Sequence, residues 1–219
     1  MHEEKREEHK RRVRQAAEKY IEEYGWIIIP TVLGGVSSHI RYKNWRLPKD
    51  HPEYTPPPTK EEMLAWFDEE PPLSIITGKR EDCFDIAALT GAMSNLVVVD
   101  ADSKEAAIEA RILGLTSPVV VKTKRGYHYY WRHDGVSDVR NRAGNTPGRQ
   151  GDWPLVDGLD LRGDGGVIRL PPSYNKDMVN QYTWMSEFDE VQDDDRYIWK
   201  PIARNTFLPP EQKQLTQEQ

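Results

Sequence analysis

The run Leu96-Val97-Val98-Val99 ends on Asp100-Ala101-Asp102, and no other stretch constrains this chain as much. Its β-branched content marks residues 95–100 as a buried strand. Either the strand leaves the core through an acidic turn, or its end is half of a metal site. Along a strand, residues i and i+2 point to the same side. If extension continues through Ala101, both carboxylates converge on one small volume. Two like charges so placed are costly unless a cation neutralises them or a proton is shared. Oxygen-only ligands suit Mg²⁺ or Mn²⁺. An aspartate capping the next helix, its partner in a turn, is an equal alternative for so short a motif.

The flanking sequence supplies an α+β setting. Val13, Ala16, Ala17, Tyr20, Ile21 and Tyr24 recur at three- and four-residue spacing, which predicts a helix over 3–24 with Gly25 as its stop. Residues 1–12 are nearly all charged and are expected to project into solvent. Residues 26–32 read as a strand, with Pro30 marking an edge or a bend. Residues 33–58 read as a surface loop, Thr59 and Glu62 as a capping box opening a helix, and "LSIITG" (73–78) as a strand. Ser103 caps a helix that runs to Leu113, before Gly114. "SPVVVKTKRGYHYYWRH" predicts a hairpin: Val119 to Lys122, a turn over 123–126, and Tyr127 to Arg132 returning. "GLDLRGDGGVIRLPPS" (158–173) predicts a second hairpin, and residues 180–185 a further strand. Hairpins dominate after residue 117, so an antiparallel sheet is expected to carry the second half.

Composition narrows the class. The chain has 219 residues, 30% of them charged, and its net charge is −6. No apolar run approaches the roughly 20 residues that span a bilayer, and the charged N-terminus lacks a secretory h-region. Cys83 is the one cysteine, which excludes a disulfide framework and a cysteine zinc cage. A cytoplasmic protein is the expectation. The acidic total argues against bulk nucleic-acid binding. Base is nevertheless clustered at 10–14, 122–125 and 139–149, so a local cationic surface survives.

Two further stretches bear on the acidic pair. Asp160 stands between Leu159 and Leu161, so on a strand it faces away from both. A metal held by Asp100 and Asp102 would supply its partner; Arg162 is the alternative. Asp157 and Asp164 fall in turns, where aspartate is ordinary. His128 alternates away from Tyr127, Tyr129 and Trp131, and Lys122, Lys124 and Arg125 precede it. A histidine beside three cations can clamp a triphosphate; a sheet histidine beside a solvated basic turn is the plainer reading.

Together, "SNLVVVDADS", "KTKRGYHYYW" and "GLDLRGDGGVIRLPPS" resemble the three ordered motifs of the archaeo-eukaryotic primase superfamily. The nearest likeness is to the bifunctional primase-polymerase (Prim-Pol) domain of phage and plasmid replication proteins, over roughly residues 16–185. Asp100 and Asp102 match its acidic pair, Gly126 and His128 its small-x-His, and Leu159 and Asp160 its third motif. Gly126 stands where some relatives have serine, and the loop at 33–58 matches only loosely.

The resemblance implies an archaeo-eukaryotic primase-like core. It would comprise an RNA-recognition-motif-like antiparallel catalytic sheet with helices packed on it, and an N-terminal α/β module. It implies one catalytic domain over 1–206, with 207–219 a polar, disordered tail. Asp100, Asp102 and Asp160 would bind two divalent ions, Mg²⁺ or Mn²⁺. His128, Lys124 and Arg169 would contact the incoming nucleotide. The implied reaction is template-directed nucleotidyl transfer, with single-stranded DNA template, primer and nucleoside triphosphates as partners and a helicase as accessory. Residues 139–149 and Trp153 could track the template, although a core position suits Trp153 better. A nuclease using the same carboxylates, or a catalytically inactive nucleic-acid-binding relative, is the alternative.

Overall fold

The computed structural model describes residues 2–68, 70–133, 139–144, 146 and 156–185. The expected tail 207–219, Trp153, and positions 145 and 147–149 of the basic segment lie outside them. The chain divides into two compact units, Met1–Leu89 with Val167–Tyr182, and Thr90–Gly166 with Thr183–Gln219. Both mix helices with antiparallel sheets, as the α+β expectation required.

The first unit opens with helix α1 (Glu3–Glu22), which buries Val13, Ala17, Tyr20 and Ile21 on the expected stripe. The helix stops two residues before the expected 24. Gly25 then takes a left-handed φ of 66°, and the Trp26 N–H turns back to the Tyr20 carbonyl at 3.0 Å. Glycine adopts this conformation without a Cβ penalty. The charged start does not simply project into solvent. His9 is 1% exposed, and Arg6 and Lys10 pair with Asp82. Helix α2 (Lys60–Phe67) begins with the expected capping box: the Glu62 N–H donates to Thr59 Oγ1 at 3.2 Å and the Thr59 N–H to Glu62 Oε2 at 2.7 Å.

Strands β1 (Ile28–Thr31) and β2 (Asp85–Leu89) pair antiparallel in this unit. Pro30 is tolerated because β1 is an edge strand. The strand expected at 73–78 is absent. Residues 74–78 form a turn in which Ser74 Oγ accepts the Ile76 and Thr77 N–H groups at 3.1 and 3.2 Å, leaving Ile75 and Ile76 about half exposed. A serine hydroxyl that captures nearby backbone donors offers an alternative to a sheet ladder. The strand is instead Asp-Ile-Ala-Ala-Leu, whose alanines carry little β signal.

Asp85 begins that strand with no exposed surface. Four donor groups meet its carboxylate: the Gly34 N–H at 2.7 Å, the Tyr174 N–H at 3.1 Å, Arg169 Nη2 at 3.2 Å and His9 Nε2 at 2.9 Å. A buried charge is tolerable only when paired and hydrogen-bonded in this way.

In the second unit, strand β3 (Leu96–Ala101) is buried at every residue. Helix α3 (Lys104–Ile112) follows, and its cap is the expected Ser103, whose Oγ accepts the Ala106 N–H at 3.1 Å. Strands β4 (Val120–Lys122) and β5 (Tyr127–Arg132) form the first predicted hairpin, with Val121 opposite His128. Strand β6 (Leu159–Arg162) lies on the other side of β3. Val97, Val99, Ala101, Tyr129, Leu159 and Leu161 pack with Ala106 and Ala110 of α3. Full burial of each valine or leucine contributes about 1.5–3 kcal/mol. This cluster leaves the alternate residues of β3, β5 and β6 on the opposite sheet face.

The second predicted hairpin does not form. Strand β7 (Val167–Arg169) pairs with β2, so β6 and β7 belong to different sheets. The glycines of 163–166 serve tight packing instead of a hairpin turn. A Cβ on Gly163 would lie 2.0 Å from the Val139 carbonyl oxygen, and the Gly163 carbonyl accepts from Thr90 Oγ1 at 2.7 Å. The expected strand at 180–185 contracts to β8 (Thr183–Trp184), which pairs with β4 at the sheet edge.

Cys83 provides a stability test. Burial pushes its thiol from an ordinary 9.0 up to about 11, against a smaller lowering by Arg6. The fold therefore favours the protonated thiol, while the unfolded chain ionises it first. Its contribution is complete below the unfolded pKa and declines as pH rises from about 9 to about 11. Urea melts across that window should show a smaller loss of midpoint in Cys83→Ala than in wild type.

Candidate metal centre

Three strands bring the acidic residues together. In the β-sheet order β6-β3-β5, Asp100 faces Asp160 on one side and His128 on the other. Direct cross-strand neighbours lie within about 5.5 Å of one another. Asp102 follows β3 by one residue, and its N–H donates to the Gly158 carbonyl at 2.8 Å, which keeps the chain anchored past Ala101. One ligand oxygen from each of Asp100, Asp102 and Asp160 lies within 4.8 Å of the others. The three residues foreseen as metal ligands are thus assembled in one place.

Their surroundings are unequal. His128 Nε2 lies 3.3 Å from Asp100 Oδ1. Arg162 Nη2 donates to Asp100 Oδ2 at 3.2 Å and to Asp160 Oδ2 at 2.7 Å. The Gly144 N–H donates to Asp160 Oδ1 at 2.9 Å. Asp102 accepts no side-chain hydrogen bond from any of the described residues. Burial pushes the Asp100 carboxyl up, but His128 and then Arg162 outweigh it, and the net shift is downward. Asp102 is shifted upward, first by burial and then by the charges of Asp100 and Asp160.

This donor set fits a hard divalent cation. It is all carboxylate oxygen, as Mg²⁺ and Mn²⁺ prefer. Asp100 Oδ1 is buried without a well-formed hydrogen bond, and among the described residues Asp102 forms no ion pair within 4.0 Å. Asp100, Asp102 and Asp160 are the residues that would hold the metal.

The remaining candidates separate. His128 is 3% exposed and belongs to the centre. Lys124 lies exposed in the turn that precedes β5. Arg169 sits in the other unit, buried, with Nη2 engaged by Asp85 and the Tyr174 carbonyl. Asp157 lies exposed in a turn. Asp164 fixes a loop, accepting the Ala92 N–H at 2.8 Å. The sequence offered Arg162 as an alternative partner for Asp160 and as added positive charge; the pairing with Asp160 is present, and the contact with Asp100 was missed. The signal was available, because residues 160 and 162 share one side of a strand.

Gly126, the small residue of the second motif, is explained by contact. A Cβ there would lie 1.8 Å from the Ala101 carbonyl oxygen and 3.0 Å from the Ser103 nitrogen. This close approach holds the β4–β5 turn against the end of the strand that carries Asp100.

The chain is α+β with antiparallel sheets, and it gathers three carboxylates from β6 and the end of β3 that could hold a divalent ion. The family model described as bifunctional DNA primase/polymerase, N-terminal (Prim-Pol), matches residues 17–196, and the chain belongs to this family. No curated protein matches the sequence. Family membership carries nucleotidyl transfer with DNA and nucleotides as substrates. Among the described residues, no helix is long and apolar enough to cross a membrane.

Gly126→Ala should lower stability by about 1–3 kcal/mol or more, the range for overpacking a filled site. Gly114→Ala makes the control. Unlike Gly126 it has a left-handed φ, 68°, and open space around the added Cβ. Its loss should be about 1 kcal/mol. Urea denaturation of the two variants checks the order.

Proposed function

We propose that the protein is a template-directed nucleotidyltransferase that extends DNA or RNA chains on single-stranded DNA in phage or plasmid replication. The observation that supports this most is the gathering of Asp100, Asp102 and Asp160, far apart in sequence, within 4.8 Å of one another beside His128. Two divalent ions held there would activate the primer 3′-hydroxyl and neutralise the triphosphate, the chemistry of an in-line phosphoryl displacement.

The residues themselves have distinct tasks. Asp100 is the buried anchor, kept ionised by His128 and Arg162 so that its oxygens are available at neutral pH. Asp102, the most accessible of the three, meets the incoming ion first. Asp160 is aimed by the Gly144 N–H. His128 holds Asp100 and, through its imidazole, meets the nucleotide's phosphates. Lys124, in the turn before β5, adds a charge-assisted contact to them. Arg169 is left out of this assignment, because its guanidinium already neutralises Asp85 in its own unit.

Primer extension on a single-stranded template tests the reading. Asp100→Asn and Asp160→Asn should each reduce Mn²⁺-supported incorporation by at least the roughly 100-fold seen when even an outer partner of a metal ligand is lost. His128→Ala should raise the KM for nucleotide by about tenfold or more, as loss of a hydrogen bond to a charged group implies, with template affinity retained. Full activity in Asp100→Asn would remove the metal centre from the reaction.

A further inference from the structure

The geometry points to Arg162 as a built-in counter-cation that competes with a divalent ion for the carboxylates of the centre. This inference rests on the metal-centre reading above. One nitrogen, Nη2, reaches both Asp100 Oδ2 at 3.2 Å and Asp160 Oδ2 at 2.7 Å, and Nε adds a longer contact to Asp100 at 3.4 Å. The guanidinium therefore occupies the space between two of the three proposed ligands.

Charge explains why such a residue is useful. Asp100 is 8% exposed and Asp160 16% exposed at their side chains, and they face each other across adjacent strands. Without a cation, two carboxylates so close repel each other. Arg162 supplies one positive charge that cannot be lost by deprotonation. It bridges both carboxylates and aligns them before any ion arrives.

The same charge opposes the ion that replaces it. An arginine on the shared Oδ2 oxygens and a dication on those oxygens are like charges at contact distance. Binding therefore requires the guanidinium to withdraw. Arg162 can do so, because its side chain is 28% exposed and lies at the end of β6. Asp102 sets the order of events. It is the exposed member of the three and accepts no side-chain hydrogen bond among the described residues, so an ion meets Asp102 without displacing anything and reaches Asp100 and Asp160 by displacing Arg162.

Mn²⁺ binding to the full chain, followed by electron paramagnetic resonance of free Mn²⁺ without nucleotide or DNA, is the test. Arg162→Gln removes the charge and should tighten Mn²⁺ binding roughly tenfold, while Arg162→Lys keeps the charge and should stay within about twofold of wild type. Thermal melts should show Arg162→Gln destabilised without metal and gaining more from Mn²⁺ than wild type does. A purely structural arginine would not give tighter binding. Equal or weaker Mn²⁺ affinity in Arg162→Gln overturns the proposal. Should that variant fold only with Mn²⁺ present, the proposal is supported; failure to fold with and without Mn²⁺ overturns it. Asp102→Asn separates the two readings. Weakened Mn²⁺ binding there with no gain in Arg162→Gln rejects the role of Arg162 alone, whereas unchanged binding there rejects the metal centre itself.

Discussion

Like charges held close in a half-buried place set the terms for the second unit. Asp100 and Asp160 face each other on adjacent strands, with Asp102 just beyond. Their repulsion must be offset by cations or the carboxylates protonate. His128 and Arg162 supply part of that offset. The apolar cluster on the other sheet face supplies the rigidity, because Val97, Val99 and Ala101 are locked against α3 and cannot twist the acidic residues apart. A site of this kind is better defended than one on loops, since moving a carboxylate means breaking a ladder.

The first unit solves a similar problem without leaving anything for a substrate. Asp85 is more deeply buried than Asp100, yet four donors converge on it, two of them backbone N–H groups. Every strong demand of that carboxylate is met inside the fold. Asp102 has no such partners among the described residues. The contrast between the two carboxylates rests on donor count and not on burial alone.

Close backbone approach is the second device that shapes the centre. Gly126 lets the turn before β5 touch the end of β3, and Gly163 and Gly166 let the chain pass under Val139 and Thr90 on its way out of β6. These glycines fix where the motif strands end. Their value lies in the missing side chain and not in any chemistry of their own, so a serine at 126 would have no room in this chain for the hydroxyl contact that its family position suggested.

Much of the site was legible because its signals are local. Period-two alternation put Asp160 opposite its flanking leucines, β-branched content located β3, and a capping serine placed α3. The pattern Val119 to Arg132 fixed the β4–β5 hairpin and, with it, the place of His128. Where reading failed, the competing force was local chemistry invisible to hydropathy. Ser74 turned an apolar stretch into a turn, and two alanines hid β2. What the sequence by itself determined is which residues are acidic, which face of each strand they share and in what order the motifs come. Only the tertiary structure decided that β6 pairs with β3 and not with β7, that Arg169 neutralises Asp85, and that Arg162 bridges Asp100 and Asp160. Strand partners and ion pairs are chosen by packing between segments distant in the chain, and no local pattern encodes that choice.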